Sequence, residues 1–409
     1  MKPSTTFTLF IAVSSLILAT ACQPNPLQIL SPLTLAVRTY NTLLAGVAKT
    51  IDLDLIQIPG NESWHQRYRN DAATSIDVYQ AEWNLELFNL DAAGALANTE
   101  AYWNRTLAAS AAPVWLIGLE TGPRQGFLPS SLYLWGLFIN KGLVQTYMPV
   151  MPSTLEELEE LFTSVKPDGI VPIALGTSFG WPGAAWFTML DLRMNGAKAT
   201  RERYTGLRPF DDAGARAVFN RLALWRDKGW FSPDAAVTSA NESIGVVESG
   251  RAFCVLLGAS AQARFRNSES VRFAAVPYEG SNRAEIVGMQ GFFLPDHLGP
   301  EKTETAFAFY DALIAEGSLD QSGNSYLIPL LAASAKASTL DIDNFSEIKR
   351  IQAGILAKTD GVVSSFERSV PPQALQDSIP LWAGFFGPNG GTGDNFAEKF
   401  QSLVGKSLR

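Results

Sequence analysis

Cysteine and histidine are both scarce in this chain of 409 residues, which holds two of each: Cys22, Cys254, His65 and His297. Two cysteines cannot build a disulfide scaffold, and two histidines are too few for most histidine-based metal sites. Positive charge is also short, with 32 Lys and Arg against 40 Asp and Glu and a formal charge of −8. The basic residues are scattered, so nucleic acid has no electrostatic footprint to use. Only 18% of residues are charged while 46% are hydrophobic, which excludes disorder as the main state and leaves enough apolar mass for two or three domains. Two enzyme signatures are missing, the His-Glu-x-x-His zinc motif and the Gly-x-x-x-x-Gly-Lys-Ser/Thr phosphate loop. A glycosidase needs two carboxylates across a bond, and no recognisable motif frames such a pair among the forty acids. Neither a cofactor nor a metal is expected, and Asp341-Ile-Asp343-Asn344 fails as a calcium loop because Ser346 and Gln352 stand at its sixth and twelfth positions.

One long apolar run is present, at the start. Lys2 precedes Phe7 to Leu18, long enough for a signal peptide and short for a membrane span. It ends in Leu18-Ala19-Thr20-Ala21-Cys22, which resembles a bacterial lipobox, with Ala19 where the pattern favours Leu. That resemblance implies a signal peptide over 1–21, lipidation of Cys22 and attachment to a membrane through acyl chains alone. Pro24 to Pro32 then reads as an extended tether, because its prolines remove donors and disfavour helix. The expected organisation is a lipidated tether over 22–32, with the fold starting near Leu33.

From there, short β-rich runs alternate with helical periodicities, an α/β signature. Leu33 to Thr39, Asp54 to Ile58 and Ile76 to Gln80 alternate like strands. Gly126 to Asn140 is too long and too apolar for a surface strand, and suits one that leaves one sheet and enters another. Ser153 with Glu156 three residues on reads as a capping box opening a helix. Gly169 to Leu175 is a strand followed by a loop, Gly176 to Pro182, rich in glycine and rings, and open α/β sheets bind ligands at such strand ends. Ile286 to Pro295 is again extended, and Ser325 to Leu331 looks like a third passage. Gly387 to Asp394 reads as a mobile loop, and Cys254 as a buried, inert thiol in an apolar strand.

The order of motifs resembles the extracellular solute-binding proteins of bacterial ABC importers, in the sugar-binding family that includes maltose-binding protein. Tyr133 to Leu143, Pro152 to Leu158 and Gly169 to Ala174 resemble that family's crossover strand, helix and next strand. Asp77-Val-Tyr79 with Trp83, Gly250 to Phe253 before Gly258, and Pro371 to Trp382 follow in the expected order. The resemblance implies two α/β lobes joined by crossing strands, one over 33–131 and 290–326 and the other over 132–289 and 327–409. It implies a monomeric receptor, not an enzyme, that closes on a sugar and hands it to ABC permease subunits. Other solutes (a polyol or peptide) and an exported glycan-active enzyme are the alternatives.

Sugar sites pair flat rings with a few polar groups, because pyranose faces are apolar and edged by hydroxyls. Ten tryptophans supply the rings. Carried over by resemblance, Glu82, Trp83 and Asn84 fall in a ligand-contacting loop, with an exposed helix-entry role for Glu82 as the alternative. Tyr133 falls on the crossover strand, either as a ligand contact or as a hinge-packing ring. Phe179 matches a stacking ring, Trp181 follows it as either contact or core, and Trp382 resembles a stacking tryptophan of the second lobe. Arg38, Tyr40 and Asn41 occupy a strand-end loop where contact and simple exposure are equally open. Relatives place a tryptophan near Gly258 where this chain has Ala259-Ser260, which implies a smaller or narrower site.

Overall fold

The computed structural model describes residues 27–32, 53–58, 77–107, 126–315, 328–329 and 346–408. Cys22, Arg38, Tyr40, Asn41 and His65 lie outside the described residues, as does the expected strand from Leu33 to Thr39.

Strand β1 (Leu27–Pro32) pairs in parallel with β2 (Leu53–Ile58) and with β3 (Val78–Glu82). The tether expected over 22–32 is therefore a strand from Leu27 onward. Its prolines stand where a strand tolerates them, Pro26 just before it and Pro32 at its last position. Strand β4 (Phe127–Asn140) is the long crossover the apolar run predicted. Its Phe127–Leu134 half pairs antiparallel with β8 (Glu285–Phe293), and its Trp135–Asn140 half pairs with β6 (Ala252–Gly258) and β7 (Val271–Ala274). The hydrogen-bonded order β2-β1-β3-β8-β4-β6-β5 thus runs through two sheets that share one strand.

Two further passages close the junction. β8 pairs with β3 through Gln290–Phe293 and with β10 (Val362–Ser364) through Glu285–Val287. β9 (Ile328–Pro329) adds to β4 at Ser131 and Leu132, as the third passage anticipated. β5 (Val171–Ile173) completes the second sheet beside β6.

Helices cover these sheets. α1 (Leu85–Ala92) follows β3 directly, and α2 (Lys141–Tyr147) follows β4. α3 (Leu155–Val165) starts one residue later than the expected capping box. Its N-cap is Thr154, which accepts from Glu157 N–H, while Glu157 takes the N–H and hydroxyl of Ser153. α4 (Trp181–Tyr204) breaks at Gly196, whose φ of 80° and ψ of 167° only glycine adopts readily. The break turns the chain back on itself, so that the Tyr204 hydroxyl meets Thr188 of the same element.

The second core is unusually aromatic. Phe187 of α4, Phe219 of α5 (Ala213–Asp227), Trp382 of α6 (Pro372–Phe386) and Phe396 and Phe400 of α7 (Gly393–Leu403) form one cluster of rings. The Gly387–Asp394 segment is pinned rather than loose: Arg226 donates to Phe385 and Gly391 carbonyls, and Thr392 caps α7. Cys254 is fully buried, donates weakly to Pro172 O, and burial pushes its thiol far above the ordinary range, so it is inert as expected.

Candidate functional site

The crossover strand positions the site. Along β4, alternation puts Tyr133 and Trp135 on one face. Tyr133 stands opposite Gly288 of β8, and Trp135 opposite Gly258 of β6. Both glycines leave a floor for the tyrosine ring. A Cβ on Gly288 would come within 2.2 Å of Tyr133 Cζ, and one on Gly258 within 2.6 Å of Tyr133 Cε2 and 3.4 Å of Trp135 Nε1. The space above Gly258 is taken by rings from β4.

Glu82 reaches this face from the end of β3. Its Oε1 accepts from the Tyr133 hydroxyl at 2.9 Å, and its Oε2 pairs with Arg368 Nη2 at 2.9 Å. Arg368 belongs to α8, a single turn at Phe366–Ser369 that follows β10. Burial, then the Glu82 charge, holds the Tyr133 hydroxyl well above the usual phenol range, so it stays a donor. Glu82 is thereby an internal acceptor joining β3, β4 and α8, not an exposed helix-entry residue.

Trp83 continues the ladder, its N–H bonding Met289 O at 2.8 Å, and its ring tilts against Phe127. Asn84 caps α1, its Oδ1 accepting from Leu87 N–H at 3.0 Å.

From the other sheet, Trp181 opens α4 and meets Trp135 edge-on, with centroids 5.8 Å apart at 81°. Phe179, 65% exposed, projects from the preceding loop. Gly180 at φ 73° makes that projection possible, and a Cβ there would strike Ile379. Trp135 was not singled out by sequence. It is 6% exposed, yet among the described residues its indole N–H has no hydrogen-bond partner, and neither does the Ser178 hydroxyl.

A family model described as bacterial extracellular solute-binding protein matches residues 48–319. The chain belongs to this family. Among solved structures, this solute-binding protein is similar to the bacterial solute receptor AcbH, at 18% identity and a TM-score of 0.78 over 95% of this chain and 100% of that one. A Streptomyces coelicolor protein described as a probable secreted solute-binding lipoprotein matches at 18% identity and TM-score 0.75, over 94% and 99%. The sugar-binding protein MalE of Xanthomonas citri matches at 17% and 0.71, over 94% and 97%. These likenesses establish the two-lobe, maltose-binding-like α/β fold. No curated protein matches the sequence.

Trp382, expected as a stacking ring, is enclosed in the core of the solute-binding protein. It is 0% exposed, with Phe396 and Phe400 centroids each 5.2 Å from its own. The physical reason is its place on α6: the face that carries Trp382, Phe385 and Phe386 turns inward against α4, α5 and α7. No face of the ring is open to a ligand.

The loop Gly176-Thr177-Ser178-Phe179-Gly180 has the Gly-x-Ser-x-Gly spelling of a nucleophile elbow, between strand β5 and helix α4. A nucleophilic serine needs a base within hydrogen-bond reach. Ser178 Oγ has none among the described residues, and His297 is exposed in the turn after β8, held beside Ala95 by the Asp296 N–H. The loop has the spelling without the triad. No described helix is long and apolar enough to cross a membrane, and no described group of His, Cys, Asp and Glu could hold a metal.

Proposed function

We propose that this chain is the receptor of an ABC importer, exported and lipid-anchored at Cys22, that captures a sugar between its lobes and delivers it to a membrane permease. The lobes are residues 27–131 with 290–326, and 132–289 with 327–409, and the receptor works as a monomer. The observation that carries the reading is the meeting of Trp135 with Trp181, and of Tyr133 with Glu82 and Arg368, along the shared strand. Flat rings for an apolar sugar face stand there beside polar groups for its edge. AcbH is described as preferring D-galactopyranose, and MalE as a sugar-binding protein, which supports a carbohydrate ligand here. Binding works by selection of the closed arrangement: contacts made from both lobes at once exist only when the cleft is shut, so ligand shifts that equilibrium. Arg38 and Tyr40, which lie outside the described residues, are the remaining proposed contacts.

Thermal-shift and tryptophan-fluorescence titration of residues 23–409 against sugars, polyols and short peptides tests this directly. A sugar is expected to raise the melting temperature without being consumed. Trp181→Ala is expected to weaken that binding about tenfold to a hundredfold, since a central aromatic anchor contributes roughly 1.4–2.8 kcal/mol. Unchanged affinity would remove Trp181 from the site, and product formation would favour an enzyme. For the anchor, Cys22→Ser is expected to abolish radiolabelled palmitate incorporation and release the protein from membranes. Persistent labelling would rule out Cys22.

A further inference from the structure

At one end of this junction lies a small pocket of about 80 Å3, roofed by Trp83 and Phe88 and walled by Arg201, Tyr204, Ser364 and Arg368. It takes residues from β3 and α1 on one side and from α4, β10 and α8 on the other. In sheet order the strands run β10, β8, β4, β6. The arginines therefore stand at the β10 end, and Trp135 and Trp181 toward β6.

The two arginines are not equally balanced. Arg368 is paired with Glu82. Arg201 donates through Nη1 to Val362 O at 3.0 Å and has no carboxylate partner among the described residues, although it is half-buried. The neighbouring acid, Glu367, takes the Ser365 hydroxyl at 2.6 Å and does not line the pocket. Arg201 and Arg368 against Glu82 leave the pocket with one surplus positive charge. A half-buried guanidinium without a carboxylate partner makes this pocket a favourable place for an anion.

We propose that this pocket receives the carboxylate of an acidic sugar, so that the receptor's substrate class is a uronate or a short uronate-bearing oligosaccharide. The inference rests on the sugar-receptor reading above and specifies the ligand of that same cleft. One surplus charge matches a monoanion better than a phosphate dianion. The space suits an ionised end group with its adjoining carbons, while the ring it belongs to extends toward Tyr133 and Trp135. Arg201 presents its free N–H groups in a planar fork suited to two carboxylate oxygens.

The test is calorimetric titration of residues 23–409 with matched pairs: D-galacturonate against D-galactose, D-glucuronate against D-glucose, and digalacturonate against a neutral galactose disaccharide. At least one acidic member is expected to bind ten times more tightly than its neutral partner, with an affinity that falls as salt is raised. Arg201→Gln is expected to remove that preference and Arg201→Lys to restore part of it, while the ligand-free melting temperature of both reports an intact fold. Equal or tighter binding of the neutral partners overturns the acidic class and leaves the sugar receptor standing. A preference that survives Arg201→Gln also overturns it, and tighter binding of glucose 6-phosphate than of glucuronate overturns the carboxylate in favour of phosphate. Failure of every saccharide, neutral or acidic, takes down the sugar-receptor reading itself.

Discussion

Trp382→Ala is expected to lower folding stability by about 3–5 kcal/mol, the range for deleting a large buried ring, while leaving the sugar affinity of the folded protein within a few-fold of the parent's. Trp382 is 0% exposed and shares its faces with Phe187, Phe219, Phe386, Phe396 and Phe400. Its indole N–H has no hydrogen-bond partner among the described residues, so packing is what the substitution removes. Four elements, α4 to α7, meet on this ring and cannot collapse together without moving their own backbones, which places the expected loss toward the upper end. Urea denaturation gives the stability and titration gives the affinity. A variant of parental stability with lost binding would show that the ring leaves the core to meet ligand.

The second large effect concerns Arg193. It is fully buried on α4 and pairs with fully buried Glu285 of β8 at 2.9 Å. The same guanidinium serves Val276 O, Pro277 O and Ala284 O, so one side chain ties α4 to β8 and the segment leading into it. Arg193→Met is expected to cost about 3–5 kcal/mol near neutral pH, because it strands a carboxylate and several carbonyls without water.

The pH dependence follows from Glu285. Burial raises its carboxyl above the ordinary range, and Arg193 is the chief influence pulling it down. Without Arg193 the folded state holds the proton more tightly than the unfolded chain does. Stability then is fullest below the unfolded value of about 4.3 and falls as pH rises through the folded value. Denaturation of Arg193→Met at pH 5 and pH 8 should show the larger deficit at pH 8. Adding Glu285→Leu should recover much of it, since apolar replacement of a whole buried pair is often neutral. A deficit independent of pH would place the loss in the carbonyl bonds alone.

Much of the architecture was legible because it depends on local pattern. The run from Gly126 to Asn140 could be read as a strand serving two sheets, since only a segment buried along its whole length stays apolar for so long. The loop after β5 followed from a short apolar run ending in glycine. On β3 and β4 the sequence named Glu82 and Tyr133 separately as candidates, and the fold joins them by a hydrogen bond. Pro24 to Pro32 misled because prolines that disfavour helix are equally at home at the ends of a strand, and the parallel partners of β1 come from later in the chain.

By itself the sequence determined the class of fold, the shared strand and the family, because periodicity, turn residues and motif order are properties of neighbouring residues. Tertiary structure alone decided which rings face the junction. Trp135 and Trp382 both sit in apolar, aromatic surroundings along the chain, yet one meets Trp181 at the cleft and the other is sealed inside a helical core. The difference lies in which element covers each face. Arg201 and Arg368 likewise share a pocket only because the break at Gly196 and the return of β10 beside β8 bring distant segments together.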